Sequence, residues 1–295
     1  MSDSNRAFVA GGTGTAGRAY SRGFVTAGYE VVATARDDDG ARALVDLGAE
    51  PLALDLTDAE AVAAAIEGSS VVVISVLGRG EAAAAQEAAI TRNVIDAAAR
   101  AGAGRLIYTS VHGADRRTGV PHFDVKGRLE QDLGAAAVPA TVIRPCTFME
   151  ALSAPWIRDG VVSRGVLASP IAIDAPIAYV AATDVAEVGV RALADPEFAG
   201  ATIELGGPRA VTYGDLLPML SELLGRTIRY ENVPLDVVES QVGSDVAAMV
   251  RLFNREGFAA EPDPAVGKLA VELTSVKDFL RAQYAPANAT AAERG

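Results

Sequence analysis

Seven residues near the start, Gly11-Gly12-Thr13-Gly14-Thr15-Ala16-Gly17, constrain the fold of this chain more than any other segment. They sit between Ala7 to Ala10, an apolar run that reads as a first strand, and Thr15 to Ala27, which reads as a first helix ended by Gly28. Each glycine spacing has a physical role. Gly11 makes the tight turn, Gly14 lets the backbone approach a pyrophosphate, and Gly17 lets helix and strand pack closely. The helix N-terminus adds free N–H groups and its positive dipole end. The loop, with Thr13 and Thr15 flanking its middle glycine, therefore predicts a strand–turn–helix unit that takes the pyrophosphate of a dinucleotide.

The following residues repeat the strand–helix alternation. Glu30 to Ala35 reads as a second strand and Leu52 to Leu54 as a third. A helix follows, opened by the capping box Thr57-Asp58-Ala59-Glu60 and closed by Gly68. Val71 to Val76 has the composition of a strand buried on both faces. A long helix covers Glu81 to Ala101, and Arg105 to Thr109 and Thr141 to Ile143 supply two more strands. This pattern predicts the α/β class, a Rossmann-type doubly wound parallel sheet, over residues 1–150. After Pro145 the strict alternation is lost. Residues 151–285 read as a smaller C-terminal substrate-covering lobe, with one strand near Ile171 to Val180 returning to the main sheet. Thr212 and Asp215 open a helix that stops at Gly225. Ser244 to Glu256 forms another, with Val246, Met249, Val250 and Phe253 on one face. Residues 286–295, rich in Ala, read as a flexible tail.

Charge and composition narrow the partners. A formal net charge of −12 argues against nucleic acid, whose binding rests on neutralising phosphates. No run of 18 or more apolar residues exists, and Met1 to Arg6 carries no signal-peptide core, so a cytoplasmic protein with no membrane partner is expected. With Cys146 as the one cysteine, and His112 and His122 as the two histidines, no internal disulfide and no metal site is expected. A small-molecule substrate is the expected partner, with a homodimer or a protein partner left open.

The tip of the second strand bears on which dinucleotide is bound. An acid there would bond a ribose 2′-hydroxyl, whereas an Arg would accept a 2′-phosphate. The strand ends Thr34-Ala35-Arg36, which favours NADP(H) over NAD(H), but Asp37, Asp38 and Asp39 follow and would repel a phosphate if they folded back. Lysine is scarce: of 26 Lys and Arg residues, the lysines are Lys126, Lys268 and Lys277.

Several further segments carry a family resemblance: Asn93-Val94-Ile95-Asp96-Ala97-Ala98, Arg105 to Ser110, Pro121-His122-Phe123-Asp124-Val125-Lys126-Gly127, Ile143 to Glu150, Tyr179 to Ala186 and Ile203 to Gly207. With the glycine loop and Thr34-Ala35-Arg36, they make the chain similar to the NmrA-like branch of the atypical short-chain dehydrogenases/reductases. The resemblance implies NAD(P) at the glycine loop, Asp55 and Leu56 near the adenine, and Lys126 near the nicotinamide ribose. Members of that branch resemble quinone or alkene reductases, biosynthetic reductases, or cofactor-sensing regulators. The chain departs from the superfamily's Ser–Tyr–Lys set: Ser110 and Lys126 stand in place, but His122 occupies the position of the Tyr.

Two readings of this segment stay open. His122, Lys126 and Glu130 are spaced by four along a helix beginning at Pro121. Either Lys126 and Glu130 are a solvated pair, or Lys126 meets the ribose and His122 faces a substrate. Ser110 is either a site residue or a capping serine, and His112 and Asp115 are either near the site or ordinary loop residues. Cys146 reads as packing rather than as a nucleophile. Phe148, Met149, Trp156 and Tyr179 are candidates for an apolar pocket wall as well as for core. The expected function is an NADP(H)-dependent oxidoreductase acting on a quinone, enone or ketone, with Lys126, His122 and Ser110 as candidate catalytic residues. A non-catalytic NADP(H) sensor is the alternative, and a redox-neutral isomerase or lyase a third possibility.

Overall fold

The computed structural model describes residues 5–78, 80–261 and 263–284; the tail expected at 286–295 lies outside them. The chain runs through β1 (Arg6–Ala10), α1 (Thr15–Thr26), β2 (Glu30–Ala35), α2 (Asp38–Val45), β3 (Glu50–Ala53), α3 (Ala59–Ile66), β4 (Val71–Ile74), α4 (Glu81–Arg100), β5 (Arg105–Thr109), α5 (Pro121–Gly134) and β6 (Ala140–Pro145). It divides into two compact units. Of the described residues, the first takes in those within 5–145, 182–205 and 263–272, and the second those within 146–181, 206–261 and 273–284. The change of character after Pro145 thus coincides with a unit boundary, but two later segments return to the first unit.

Seven strands form the sheet of the first unit, in the order Thr202–Leu205, β6, β5, β4, β1, β2, β3. All neighbours run parallel, with Phe8 opposite both Val32 and Val72. The chain winds outward from β1 through β2 and β3, then reverses to β4 and winds the other way. Such a reversal opens a crevice at the carboxyl ends of the strands, between β1 and β4. On one face the sheet buries Phe8, Val72, Ile74, Leu106 and Tyr108 with Val62 and Ile66 of α3, Val94 and Ala98 of α4, and Val125, Leu129 and Leu133 of α5. On the other, α1 packs on the helix Ala182–Ala192, where a Cβ at Gly189 would press on the Tyr20 ring. Burial on both faces explains the near-continuous apolar runs of β1 and β4.

The second unit holds a three-stranded sheet of Thr147–Phe148, Ile177–Val180 and Ala210–Val211, and a pair formed by Val166–Ser169 with Arg229–Asn232. Its helix Tyr213–Leu224 has the expected capping box, with Thr212 and Asp215 each bonding the other's backbone, and ends at Gly225 in a left-handed conformation. The helix Ser244–Glu256 also forms.

Three expectations change. The strand near Ile171 to Val180 does not return to the main sheet: Ile177–Val180 pairs within the second unit, and the returning strand is Thr202–Leu205. The cap of α3 is Asp58, whose Oδ1 accepts from Glu60 N and Ala61 N at 3.1 Å, because the side chain of Thr57 is drawn back to Asp55. Asp37 to Asp39 build a helix, α2, that the sequence reading lacked. Asp37 is its N-cap, accepting from Gly40 N at 2.7 Å, and Asp38 and Asp39 occupy its first turn, where negative charge is favoured.

The close approach of α1 to the glycine turn yields a stability test. A Cβ at Gly17 would penetrate the Gly11 carbonyl, whereas one at Gly134 meets nothing within 4 Å. Gly17→Ala is expected to lower the urea midpoint by the equivalent of about 1–3 kcal/mol through overpacking, and Gly134→Ala to leave it unchanged or raise it by up to about 1 kcal/mol. Equal effects of the two substitutions would show that the close approach is not tightly packed.

Candidate functional site

The glycine loop is held from both sides. Gly11, at φ +82°, donates its N–H to Thr34 Oγ1 at 2.9 Å, and a Cβ there would collide with the Ser75 carbonyl at the end of β4. Gly14 N donates to Gly11 O at 3.1 Å and closes the turn. Gly14 differs from its neighbours, because a Cβ on it would meet only Gly11 O, at 3.3 Å. Its outer side is therefore open. Gly14 is also the N-cap of α1, and no side chain caps that helix, so first-turn N–H groups are left for another acceptor. This open, uncapped cradle fits a dinucleotide pyrophosphate. Thr13 and Thr15 lie at its rim, with the Thr13 methyl close to Gly40 of α2.

At the end of β2, Arg36 is exposed and, among the described residues, in no ion pair. Asp37 is engaged in capping α2, and Asp39 pairs with Arg42, so these two acids are directed along their own helix. At the end of β3, Asp55 Oδ1 accepts from Thr57 Oγ1 at 2.7 Å and Thr57 N at 2.9 Å. These bonds hold its carboxyl below the ordinary value. The carbonyls of Leu56 and Thr57 accept from Asn93 Nδ2 of α4, at 3.1 and 3.0 Å. Asn93 thereby fixes a loop that the sequence pointed to without explaining how it is held.

Lys126 is neither a solvated residue nor a partner of Glu130. Its side chain is 6% exposed, and Nζ donates to Glu87 Oε1 at 2.8 Å and to the carbonyls of Val76 and Thr109, each at 3.1 Å. Only the ammonium form supplies three donors, and all three are directed to protein acceptors. The ammonium also lies 5.2 Å from the Tyr108 ring centroid. His122, one helical turn earlier, is buried with its ring edge-on to Phe123 at 4.6 Å.

Ser110 follows β5 and continues its ladder, donating N–H to Ile143 O at 2.8 Å. Its hydroxyl donates to Glu130 Oε1. Arg144 grips the same carboxylate through Nε at 3.0 Å and Nη2 at 2.6 Å, and its Nη1 reaches Glu204 at 2.9 Å and Asp115 at 3.0 Å. Glu204 also meets His112 Nδ1 at 2.7 Å. His112 and Asp115 are thus part of an ionic cluster with Arg144, Glu130 and Glu204. Beside the cluster, a groove of about 950 Å³ runs along α5 and β6, lined by Arg117, Arg128, Glu130, Val142, Arg144 and Thr202 among others and by none of the glycine-loop residues. In the second unit Met149 and Tyr179 are core, Phe148 is half-buried, and Trp156 is 75% exposed. Cys146 is buried.

Sequence reasoning missed Glu87, Arg144 and Glu204. Glu87 carried a signal: it shares a helical stripe with Ala84, Thr91 and Val94, all buried, and is the one acid on that stripe.

Residues 3–280 match the description of the NmrA-like family. The chain belongs to that family. An NAD(P)H azoreductase of Xenophilus azovorans is 27% identical over 290 residues, covering 96% of this chain and 98% of that one. A (4-alkanoyl-5-oxo-2,5-dihydrofuran-3-yl)methyl phosphate reductase of Streptomyces griseus is 35% identical over 150 residues, 50% of this chain and 51% of that one. The chain spans 51–58% of the length of the first two curated relatives it matches. The Citrobacter sp. triphenylmethane reductase complexed with NADP(H) superposes with a TM-score of 0.78 at 20% identity, over 94% of this chain and 99% of that one, which shows the shared fold. Among the described residues, no helix is long and apolar enough to cross a membrane.

The ionic cluster carries a pH signature. Burial pushes the Glu204 carboxyl up, but hydrogen bonds from His112 and Arg144 outweigh it and hold the group below its ordinary value. A carboxyl lowered by folding adds stability above its unfolded-chain value, and that share is lost as pH falls through the folded value. Below about pH 5, Tm should fall more steeply for the native chain than for Glu204→Gln. Parallel acid limbs in the two proteins would show that Glu204 contributes nothing to this loss.

Proposed function

We propose that the chain binds NADP(H) along the carboxyl edge of its sheet and passes hydride to a small apolar or conjugated acceptor such as a quinone, enone or ketone. The open glycine cradle at Gly14, above the uncapped N-terminus of α1, carries this reading. The azoreductase, whose name records NAD(P)H, supports a redox role, and the triphenylmethane reductase complexed with NADP(H) shares the fold. Gly11, Thr13, Gly14, Thr15 and Gly17 would hold the pyrophosphate, Arg36 a 2′-phosphate, and Asp55 with Leu56 would border the adenine. The bound dinucleotide supplies the hydride, and the protein orients it and excludes water.

Proton supply is the open step in the chain's own chemistry. The Ser110 hydroxyl points its proton at Glu130, and the N–H groups of Lys126 are all engaged. His122 is then the candidate donor, standing one turn from Lys126 in the position of the superfamily's Tyr. The same two engagements favour the second reading, a cofactor sensor without turnover. A screen of NADPH consumption against quinones, enones and ketones decides between them: consumption dependent on an acceptor supports the reductase, and none with any acceptor supports the sensor.

Three substitutions test the assignments. Gly14→Val is expected to abolish NADPH binding in a fluorescence titration while leaving the folded CD spectrum intact, since the new side chain fills the open cradle; undiminished affinity would remove the loop from the cofactor site. Arg36→Ala should weaken NADPH by about 1.5–3 kcal/mol, the range for a charge-assisted hydrogen bond, with NADH hardly affected. Equal losses for both would assign Arg36 to structure or to the part the two cofactors share. With imidazolium as the donor, turnover falls as pH rises, and His122→Phe lowers the rate by roughly a hundred- to ten-thousand-fold and flattens that limb. Full turnover with an unaltered profile in His122→Phe would make the histidine pocket lining.

A further inference from the structure

Glu87 lies outside every loop that the sequence pointed to, yet it is the most deeply buried carboxylate among the described residues, at 1% exposure. Its two oxygens face the loop that follows β4. Oε2 accepts the Gly78 N–H at 2.7 Å and Oε1 accepts Lys126 Nζ at 2.8 Å, while Lys126 holds the carbonyls of Val76 and Thr109. One carboxylate–ammonium pair therefore ties down the backbone on both sides of Leu77 and the end of β5. Gly78 is further pressed onto the start of α4, where a Cβ would collide with the Ala83 carbonyl. Leu77 itself is 53% exposed. A lone exposed Leu means little; one whose two backbone neighbours are anchored to a buried ion pair has its direction fixed.

Stability gives no sufficient reason for this pair. Burying two charges carries a large desolvation cost, and apolar replacements of similar volume are often neutral or stabilising. Placement of the loop does give a reason. We propose that Glu87 is a positioning residue for the nicotinamide half of the dinucleotide site, acting through Lys126 and Gly78 without touching the ligand. The inference rests on the dinucleotide reading above. In a doubly wound sheet, the ligand crosses the point where strand order reverses, so its two halves lie over opposite sides of that point. The glycine loop, Arg36 and Asp55 belong to the β1–β3 side, and the Glu87 clamp to the β4–β5 side. The two sides have anchors of their own: Ser75, against which Gly11 packs, bonds Ala10 O at 3.0 Å, and the loop after β3 is held by Asn93 rather than by Glu87.

Glu87→Gln is the sharpest perturbation. A glutamine amide has one acceptor and one donor end, so either Lys126 or Gly78 N–H must then face an N–H group. The test titrates two probes, NADPH and adenosine 2′,5′-bisphosphate, which carries the adenine half alone, against the native and substituted proteins, with urea denaturation run in parallel. NADPH affinity is expected to fall roughly ten- to hundred-fold, as when an outer-shell partner is lost, with the bisphosphate changed by less than about twofold. Should Glu87→Gln fail to fold, the pair Glu87→Met with Lys126→Met removes both charges and takes the same titrations with the same expectation. Unchanged affinity for both probes, or an equal loss of both, overturns the positioning role and leaves a structural ion pair. A native protein that binds neither probe overturns the dinucleotide reading itself, an outcome visible before any variant is made.

Discussion

An ammonium buried away from water must find an acceptor for each of its three N–H groups, and the carboxyl edge of the sheet is organised around how Lys126 does so. Its acceptors come from the end of β4, the second turn of α4 and the end of β5, while the lysine rides on α5. No two of these elements can shift against each other without leaving a polar group unpaired. Removing one partner of such a pair typically costs about 3–5 kcal/mol, far more than the pair contributes net. The arrangement therefore acts less as a source of stability than as a restriction on which geometry is allowed. Asn93, less than two turns farther along α4, bonds the loop after β3, so one helix registers the loops on both sides of the strand-order reversal.

The glycine loop depends on a different restriction, steric rather than polar. Gly11 and Gly17 are places where backbone meets backbone with no room for a side chain, and Gly14 is the one that leaves space outward. Helix α1 is thereby seated directly on β1, and the first turn of α1 opens into the crevice. The acids after Arg36 complete the picture. Drawn into the N-terminus of α2, where the helix dipole favours them, Asp37 and Asp39 have partners along their own helix, and Arg36 stands exposed beside them at the tip of β2.

Much of this was legible in the sequence because it is local. Period and punctuation sufficed for β1 to β6, for the long helix α4, and for the cap at Thr212, since each is decided by residues a few positions apart. The failures share a cause. At Thr57-Asp58 two good caps lie side by side, and the choice fell to Asp55, whose side chain takes the Thr57 hydroxyl. The sequence sets the acids at 37–39 against a ligand, whereas Asp37 takes the backbone N–H of Gly40, three residues on, and Asp39 pairs with Arg42. The returning strand was placed too early because Thr202–Leu205 is short and carries Glu204, a residue whose inclusion in a strand is explained only by Arg144 on the neighbouring one. Lysine scarcity marked Lys126, while the helical-stripe signal at Glu87 went unread, and only the fold brings together two residues 39 apart.

The same polar accounting bears on chemistry. A carbonyl that accepts hydride becomes an alkoxide and needs a proton at once; a quinone or other conjugated acceptor spreads the charge and can wait for one. In the superfamily's Ser–Tyr–Lys set the hydroxyl of the Ser and the ammonium of the Lys would flank the Tyr that donates the proton. Here both flanking groups look inward, Ser110 to a carboxylate already held by Arg144 and Lys126 to Glu87 and two carbonyls. Substituting His122 alone for the Tyr would leave an acid without its usual support; with its neighbours redirected as well, the departure is coordinated across α5, β5 and β6. On the proposed reading this shifts the balance from isolated ketones toward acceptors whose hydride adducts are stabilised by their own conjugation. The shift follows from where the Ser110 hydroxyl and the Lys126 ammonium point, not from the identity of any one residue.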